Sequence, residues 1–400
     1  MDYSYDSVMT AVYERTSVRN RTRDDLYNLI STREELTRPD LVALTGMSRS
    51  TVNNAIGRLL EEGRIVETDA EVKGHGSGSG RPATRLVAVA SGAPVGGIDF
   101  GHTHIRVAVA DSLGRPLGER TVEVDVDLRA SESMQVAAAL MSELRMEHSL
   151  DSLACVVAGI PGPLDRASGL VRSPTILSGW VQLAPAVELQ RLLNVPVRVE
   201  NDALLGSFGE LIRGGGRDHE NFLYVKASGG IGASVIIDRK PYRGATGLAG
   251  EIGHTSLAGR TEACRCGNQG CLEAVVSVQQ VRERILVSHP GIDPAGIDLR
   301  GDGDEVTGRI LNEAGRTLGG VLSTLCDLLN PSAVIVGGEL GESNHRFIDG
   351  IAESVERYSQ PATAASIQVK AAELGVRAEL VGALEMAASF SGRAVAPAMA

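Results

Sequence analysis

Apolar side chains recur at two different periods along the chain, and the change of period divides it. From Arg23 to Glu62 the spacing is helical: Leu26, Leu29 and Ile30, then Leu41, Val42 and Leu44, then Val52, Ile56, Leu59 and Leu60. Thr37 can cap the middle helix, Pro39 suits its first turn, and Gly46 breaks it. The third helix opens on a polar turn, Ser48, Arg49, Ser50 and Thr51, followed by Asn53 and Asn54. Helix, tight glycine-containing turn, and helix with a polar N-terminal face is the helix-turn-helix layout. Its second helix would lie in the major groove of DNA, where arginine (Arg49, Arg58) can read guanine and asparagine can read adenine. Two strand-like runs follow, RIVETDAEV and TRLVAVA, separated by KGHGSGSGRP. A Gly/Ser-rich hairpin tip after such a helix is a wing, and its Arg81 can enter the minor groove or meet a phosphate. A plain helical bundle with a flexible linker is the alternative.

From Val95 the pattern changes to strands. VGGIDFGHTHIRVAVADSLGRPLGERTVEV predicts strand, glycine turn, strand, turn, strand, and NFLYVKASGGIGASVIIDRKPYRGATG repeats that order. Further apolar strands follow each start, in SLACVVAGIPG and PVRVEND for the first and PSAVIVGGEL for the second. The repeat predicts two similar α/β lobes around a cleft, with ligands at the carboxyl ends of strands. Glu200, Asn201 and Asp202, the GIPGPLD loop and the end of VIVGGEL should converge there. The turns DFGHTH and SGGIGAS could cradle phosphate with backbone N–H groups. Glycine in hairpin turns also serves plain conformational need. The expected boundaries are 1–90 for the DNA-binding domain, 91–200 for the first lobe and 201–379 for the second, with a C-terminal helix over 380–395 completing the first.

A length of 400 residues fits two or three domains. Aromatic residues make up 3% against 43% hydrophobic, so the cores rest on Ala, Val, Leu and Ile. The net charge of -11 argues against general nucleic-acid affinity. Met1 to Arg85 is close to neutral, so any DNA contact must come from a few placed arginines. No apolar run opens the chain and none is long enough to span a bilayer, which points to a soluble, cytoplasmic protein without a membrane partner.

The segment EIGHTSLAGRTEACRCGNQGCLE, Glu251 to Glu273, concentrates three of the five cysteines. Cys264, Cys266 and Cys271, with Gly267 and Gly270 to let the backbone wrap and His254 upstream, make a closed tetrahedral zinc site, structural because no position stays open. Buried or redox-active thiols are the alternative. Cys155 and Cys326 sit in apolar contexts and read as small core residues. Glu251 and Glu273 flank the cluster; a fixed loop can present such carboxylates to the hydroxyls of a polar ligand, or they are solvated charges.

AGEIGHTSLAGRTEACRCGNQGCLE closely resembles the signature of the ROK family, the repressors, open reading frames and sugar kinases, and the likeness runs from Val95 almost to the C-terminus. The winged helix-turn-helix ahead of it matches the repressor branch. The resemblance implies two actin-like, ribonuclease-H-like lobes around a sugar cleft. It implies Asn201, Asp202, Glu251, His254 and Glu273 as sugar-binding residues, with His254 shared between sugar and zinc and with Cys264, Cys266 and Cys271 as the other zinc ligands. GIPGPLD and SGWVQL match loops that line the cleft. In a family kinase the aspartate matching Asp202 is the general base for attack on the γ-phosphate of ATP, with Mg²⁺ beside the nucleotide. Asp99, Gly101, Thr103, Gly230, Gly232, Gly337 and Gly338 match the nucleotide side. There the chain departs from the pattern: His102 stands where Asp-x-Gly-Gly-Thr has glycine, and Gly229 where Gly-Thr-Gly-x-Gly has threonine. The reading is therefore a sugar-responsive transcriptional regulator, a repressor, acting on operator DNA as a homodimer or homotetramer. The alternatives are an ATP-dependent hexose kinase, glucokinase-like, and a zinc-stabilised interaction module.

Overall fold

A computed structural model describes residues 18–33, 35–69, 84–165, 168–172, 175, 177–293, 297–300, 304–343 and 345–391. They form two compact units, one holding the described residues through Ala93 with Asp111–Leu113 and the chain end from Ala388, the other Pro94–Ala110 with Gly114–Ala387.

The first unit contains α1 (Val18–Thr32), α2 (Arg38–Thr45), α3 (Arg49–Glu61) and the antiparallel pair β1 (Ile65–Asp69) and β2 (Thr84–Ala88). Leu26, Leu41, Val52, Ile56, Leu59, Ile65 and Leu86 form its core, so the helical spacing in the sequence marks the buried face. Thr37 caps α2 in a capping box with Asp40, Pro39 lies in the first turn, and Gly46 ends the helix at φ 65°. Val42 and Leu44 are only partly buried against the core. The tip of the wing, with Arg81, lies outside the described residues.

The second unit runs through β3 (Val95–Phe100), β4 (His104–Ala110), β5 (Pro116–Glu123), α4 (Ala130–Glu147), β6 (Val156–Ile160), α5 (Pro185–Leu193), β7 (Val197–Asn201) and α6 (Asp202–Arg213). It continues with β8 (Phe222–Ala227), β9 (Ile231–Ile237), β10 (Lys240–Tyr242), α7 (Glu273–Val276), α8 (Val278–Ser288) and α9 (Glu305–Leu329). It ends with β11 (Ala333–Gly337), α10 (Gly338–Gly341), α11 (Arg346–Tyr358), α12 (Pro361–Ala364), β12 (Gln368–Ala371) and α13 (Ala378–Phe390).

Its two sheets have one topology. The first is ordered β5-β4-β3-β6-β7 and the second β10-β9-β8-β11-β12. In each, a meander of three antiparallel strands is extended by two parallel ones. Every residue of β3, β6 and β11 is buried, which is why these strands read as continuous apolar runs while the edge strand β5 is mostly exposed. The repeated hairpin start in the sequence is this duplicated sheet.

Every residue of α6 from Asp202 to Ile212 is buried, and α13 crosses it at backbone contact. A Cβ on Gly209 would lie 2.4 Å from the Ala378 carbonyl oxygen, and one on Gly382 only 1.8 Å from that of Leu205. On its other side α13 packs against β3, where Gly97 faces Ala383 and Leu384. This crossing fixes the start of α6, and hence Asp202. Gly382→Val should force the helices apart and cost about 2 kcal/mol or more, read as a lower denaturation midpoint.

Candidate functional site

A cavity of about 590 Å³ opens in the second unit, within the size range of small-molecule sites. Asn201, Asp202, Glu251, His254 and Glu273 all line it, as does the Pro161–Gly162–Pro163 turn. Asn201 ends β7 and caps α6, its Oδ1 accepting from the Leu204 N–H at 3.1 Å while its Nδ2 donates to the Gly162 carbonyl at 3.2 Å. Asp202, the next residue, is therefore held at a helix N-terminus. Glu200 is tied to Arg243. SGWVQL does not line the cavity: Trp180 is fully buried in the first-lobe core, edge-on to Phe100 at 5.2 Å, with its N–H on the Val126 carbonyl at 2.8 Å.

Both oxygens of Asp202 are engaged. Oδ1 accepts from the Ala203 N–H at 2.7 Å and Oδ2 from the Lys226 ammonium at 2.8 Å. Lys226 also faces Glu379 at 3.8 Å, which in turn accepts from the Tyr224 hydroxyl at 3.1 Å. Burial opposes the charge on Lys226, but Asp202, Glu379 and Asp99 outweigh it and hold its pKa above the usual lysine value. Burial pushes Glu379 up to about 7 against the pull of Lys226. Glu251 is likewise pushed up to about 7, by burial first and then by Asp202 and Glu273. Lys226 belongs to no motif in the sequence. Its signal was one of only four lysines in the chain, set inside the apolar run FLYVKA.

Of the residues matched to the nucleotide side, Gly101, Thr103, Gly230, Gly232 and Gly338 line the cavity, whereas Asp99 and Gly337 do not. Asp99 is fully buried; its Oδ2 accepts from Arg106 at 3.1 Å and faces His104 at 3.3 Å. Burial alone would raise its pKa, yet His104, Lys226 and Arg106 together lower it to about 2. Gly337 lies against the Tyr224 ring.

His254, Cys264, Cys266 and Cys271 come together, with one ligand atom from each within 4.8 Å of all the others. Cys264 Sγ is 3.7 Å from His254 Nδ1, and Cys266 Sγ is 3.7 Å from Cys271 Sγ. A tetrahedral site with metal–sulfur bonds of about 2.3 Å has edges of about 3.8 Å, so four ligands of this spacing fit one soft or borderline metal ion. Gly270 makes the wrap possible: its φ is 69°, and a Cβ there would lie 2.5 Å from the Arg260 carbonyl oxygen. Burial pushes the Cys271 thiol up to about 12 and the Cys264 thiol in the same direction, and a bound cation is what would convert them to thiolates. His254 Nε2 points the other way and lies 3.9 Å from Glu251. Cys155 and Cys326 are buried elsewhere, as small core residues.

In the first unit, Ser48 caps α3 and accepts from the Thr51 N–H at 3.1 Å. Ser48, Arg49, Ser50, Thr51, Asn53, Asn54 and Arg58 are all exposed, while Val52, Ala55, Ile56 and Leu59 face the core.

Fold and site together define a two-lobed, sugar-kinase-like chain with a winged helix-turn-helix ahead of it in sequence. The chain belongs to the ROK family, whose family model matches residues 95–389. It is 27% identical over 378 residues to a xylose repressor of Bacillus spizizenii, covering 93% of this chain and 96% of that protein. It is 30% identical over 312 residues to a glucokinase of Streptomyces coelicolor, covering 73% and 96%. It shares its fold with a ROK family transcriptional regulator described as a homolog of the Escherichia coli MLC protein, at a TM-score of 0.67 and 20% identity, covering 94% of this chain and 98% of that one. Among the described residues no helix is long and apolar enough to cross a membrane.

Two outcomes follow from this geometry. Lys226→Met leaves a buried carboxylate unpaired and should cost about 3–5 kcal/mol in denaturant unfolding, with much of the loss recovered in Lys226→Met/Asp202→Asn. Cys266→Ser should lower the metal content measured by mass spectrometry and the melting temperature together; full metal retention would remove Cys266 from the ligand set.

Proposed function

We propose that the chain is a sugar-responsive transcriptional repressor. It reads operator DNA through α3 and holds a monosaccharide or close derivative in the cleft. The observation that carries the proposal is that one chain joins two features. A capped helix exposes only polar side chains from its first turn, and five polar side chains with the donors and acceptors a hydroxyl needs, Asn201, Asp202, Glu251, His254 and Glu273, converge on a cavity.

In this reading Arg49, Asn53, Asn54 and Arg58 meet base edges or phosphates, and Ser48, Ser50 and Thr51 position the backbone. Arg81 on the wing adds a minor-groove or phosphate contact. The carboxylates accept from sugar hydroxyls, and Asn201 both donates and accepts. The metal is a structural Zn²⁺ held by His254, Cys264, Cys266 and Cys271. With Nδ1 on the metal, the His254 ring keeps its hydrogen on Nε2, where it can donate to a ligand oxygen. The protein works in the cytoplasm as a homodimer or homotetramer, so two recognition helices would require half-sites about 34–36 Å apart or a multiple.

The likeness to a glucokinase favours a second reading, ATP-dependent hexose phosphorylation with Asp202 as general base. Against it, His102 and Gly229 stand where the kinase pattern has glycine and threonine.

The test is fluorescence anisotropy on DNA from upstream of the protein's own coding region, with xylose and glucose as the first ligands, beside a coupled kinase assay. Expected is specific binding, weakened about tenfold or more in Arg49→Ala and Asn53→Ala. The active sugar should shift operator affinity roughly 5- to 150-fold. No DNA binding at low salt under any condition rejects the repressor, and turnover abolished by Asp202→Asn establishes the kinase.

A further inference from the structure

The two glycine turns of the cleft, one joining β3 to β4 and the other β8 to β9, are the places where backbone N–H groups could hold a phosphate. Such a cradle needs open space over the glycines, amides free to donate, and charge to spare. Groups of the chain itself take part of that space, one of those amides and the charge of the neighbouring cations.

Space is taken by two histidines. The His102 ring, from the first turn, lies across the second: a Cβ on Gly230 would be 3.4 Å from its Nε2, and one on Gly229 3.5 Å from its Cδ2. The His104 ring covers the first turn so closely that a Cβ on Gly101 would lie 2.2 Å from it. An amide of the second turn is already committed, since the Ile231 N–H donates to Glu273 Oε2 at 3.0 Å. An internal carboxylate thus sits where a bound anion would. The neighbouring cations have anionic partners too: Arg265 spans Glu273 at 3.2 Å and Asp127 at 3.4 Å, Arg106 faces Asp99, and Lys226 faces Asp202.

His102 is fixed in this position. Its Nδ1 donates to Asp127 Oδ1 at 2.7 Å, and its Nε2 faces the Arg265 guanidinium at 3.4 Å. A carboxylate only accepts and a guanidinium only donates, so the tautomer with its hydrogen on Nδ1 satisfies both. Through these contacts the first-lobe turn is tied to the loop that carries Cys264 and Cys266.

We propose that His102 is a specificity-determining plug. Its ring stands in the gap between the two glycine turns and closes the cleft to phosphorylated ligands, nucleotides and sugar phosphates alike. Glycines keep the second turn free of side chains of its own, and the His102 ring occupies the space beside them. This inference rests on the packing at the turns and not on the DNA-binding reading.

The test is isothermal titration of the full chain with three probes: inorganic pyrophosphate, Mg²⁺ with a non-hydrolysable ATP analogue, and glucose 6-phosphate. Each is run on the natural protein and on His102→Gly, His102→Ala and His102→Gln, with melting temperature and metal content confirming that each is folded. The natural protein and His102→Gln, which keeps the gap filled, should bind none of the three at millimolar concentration. His102→Gly and His102→Ala should gain about tenfold or more for pyrophosphate or the nucleotide, the size of one recovered charge-assisted hydrogen bond. Binding of any probe by the natural protein overturns the proposal; glucose 6-phosphate binding in particular would make the histidine and arginine a phosphate site. Folded glycine and alanine variants that stay as closed as the natural protein overturn it as well. Absence of operator binding, by contrast, removes the repressor reading and leaves this one in place.

Discussion

The ammonium of Lys226 is the contact on which the floor of the cleft depends. It stands between Asp202 and Glu379, close enough to Asp99 to lower that residue's pKa. Taking an ion out of water costs several kcal/mol, and the Lys226 cation offsets part of that cost for the carboxylates around it. The pairing also ties together three distant stretches of chain: the start of α6, the strand β8 and the start of α13. Asp202 therefore has a position set by a charge network, and not only by the cap that Asn201 provides. Lys226 engages one of its oxygens and the Ala203 N–H the other, so the carboxylate is held at both ends.

The duplicated sheet explains why the chemistry collects where it does. Each copy opens with a strand, a glycine turn and an antiparallel return, and both turns border one cavity. Duplication supplies two equivalent turns; the side chains make them unequal. The first carries His102 and His104, the second carries no side chain larger than serine between Ala227 and Ile231. An imidazole can lie across the second turn because its glycines leave room. The asymmetry is a steric complement, visible only when both turns are placed face to face.

What the sequence made legible is what neighbouring residues decide. The helical spacing of α1 to α3, the cap at Thr37, the stop at Gly46 and the repeated strand order depend on local periodicity and turn chemistry, and the structure has them. The cysteine cluster was legible because its four ligands span only eighteen residues, His254 to Cys271. The contacts that escaped are long-range. Arg265 meets Asp127 across 138 positions, and Arg106 donates to the Val376 carbonyl across 270. SGWVQL matches a cleft loop by likeness, yet Trp180 is fully buried in the first-lobe core, against Phe100 and the Val126 carbonyl. Asp99 matches the nucleotide side by resemblance, yet it is fully buried and engaged by Arg106 and His104, residues seven and five positions on in the antiparallel partner strand.

The loop between His254 and Cys271 has little apolar surface to order it, which suits the metal its four ligands could hold. Between Thr255 and Gly270 the one large apolar side chain is Leu257. Burying a leucine contributes about 2 kcal/mol, whereas fixing backbone costs about 1–2 kcal/mol for every residue ordered. Local backbone bonds, such as Cys264 N–H to the Asn268 carbonyl and Gly270 N–H to that of Glu262, hold the shape without providing a core. A closed metal tetrad contributes about 10–16 kcal/mol in small domains, enough to decide whether such a loop is ordered before any ligand arrives. That timing matters for the cleft, since Glu251 precedes the loop and Glu273 follows it. A ligand that had to organise both carboxylates itself would spend part of its contacts on that task; with the loop ordered beforehand by a metal, those contacts would go to affinity and discrimination instead.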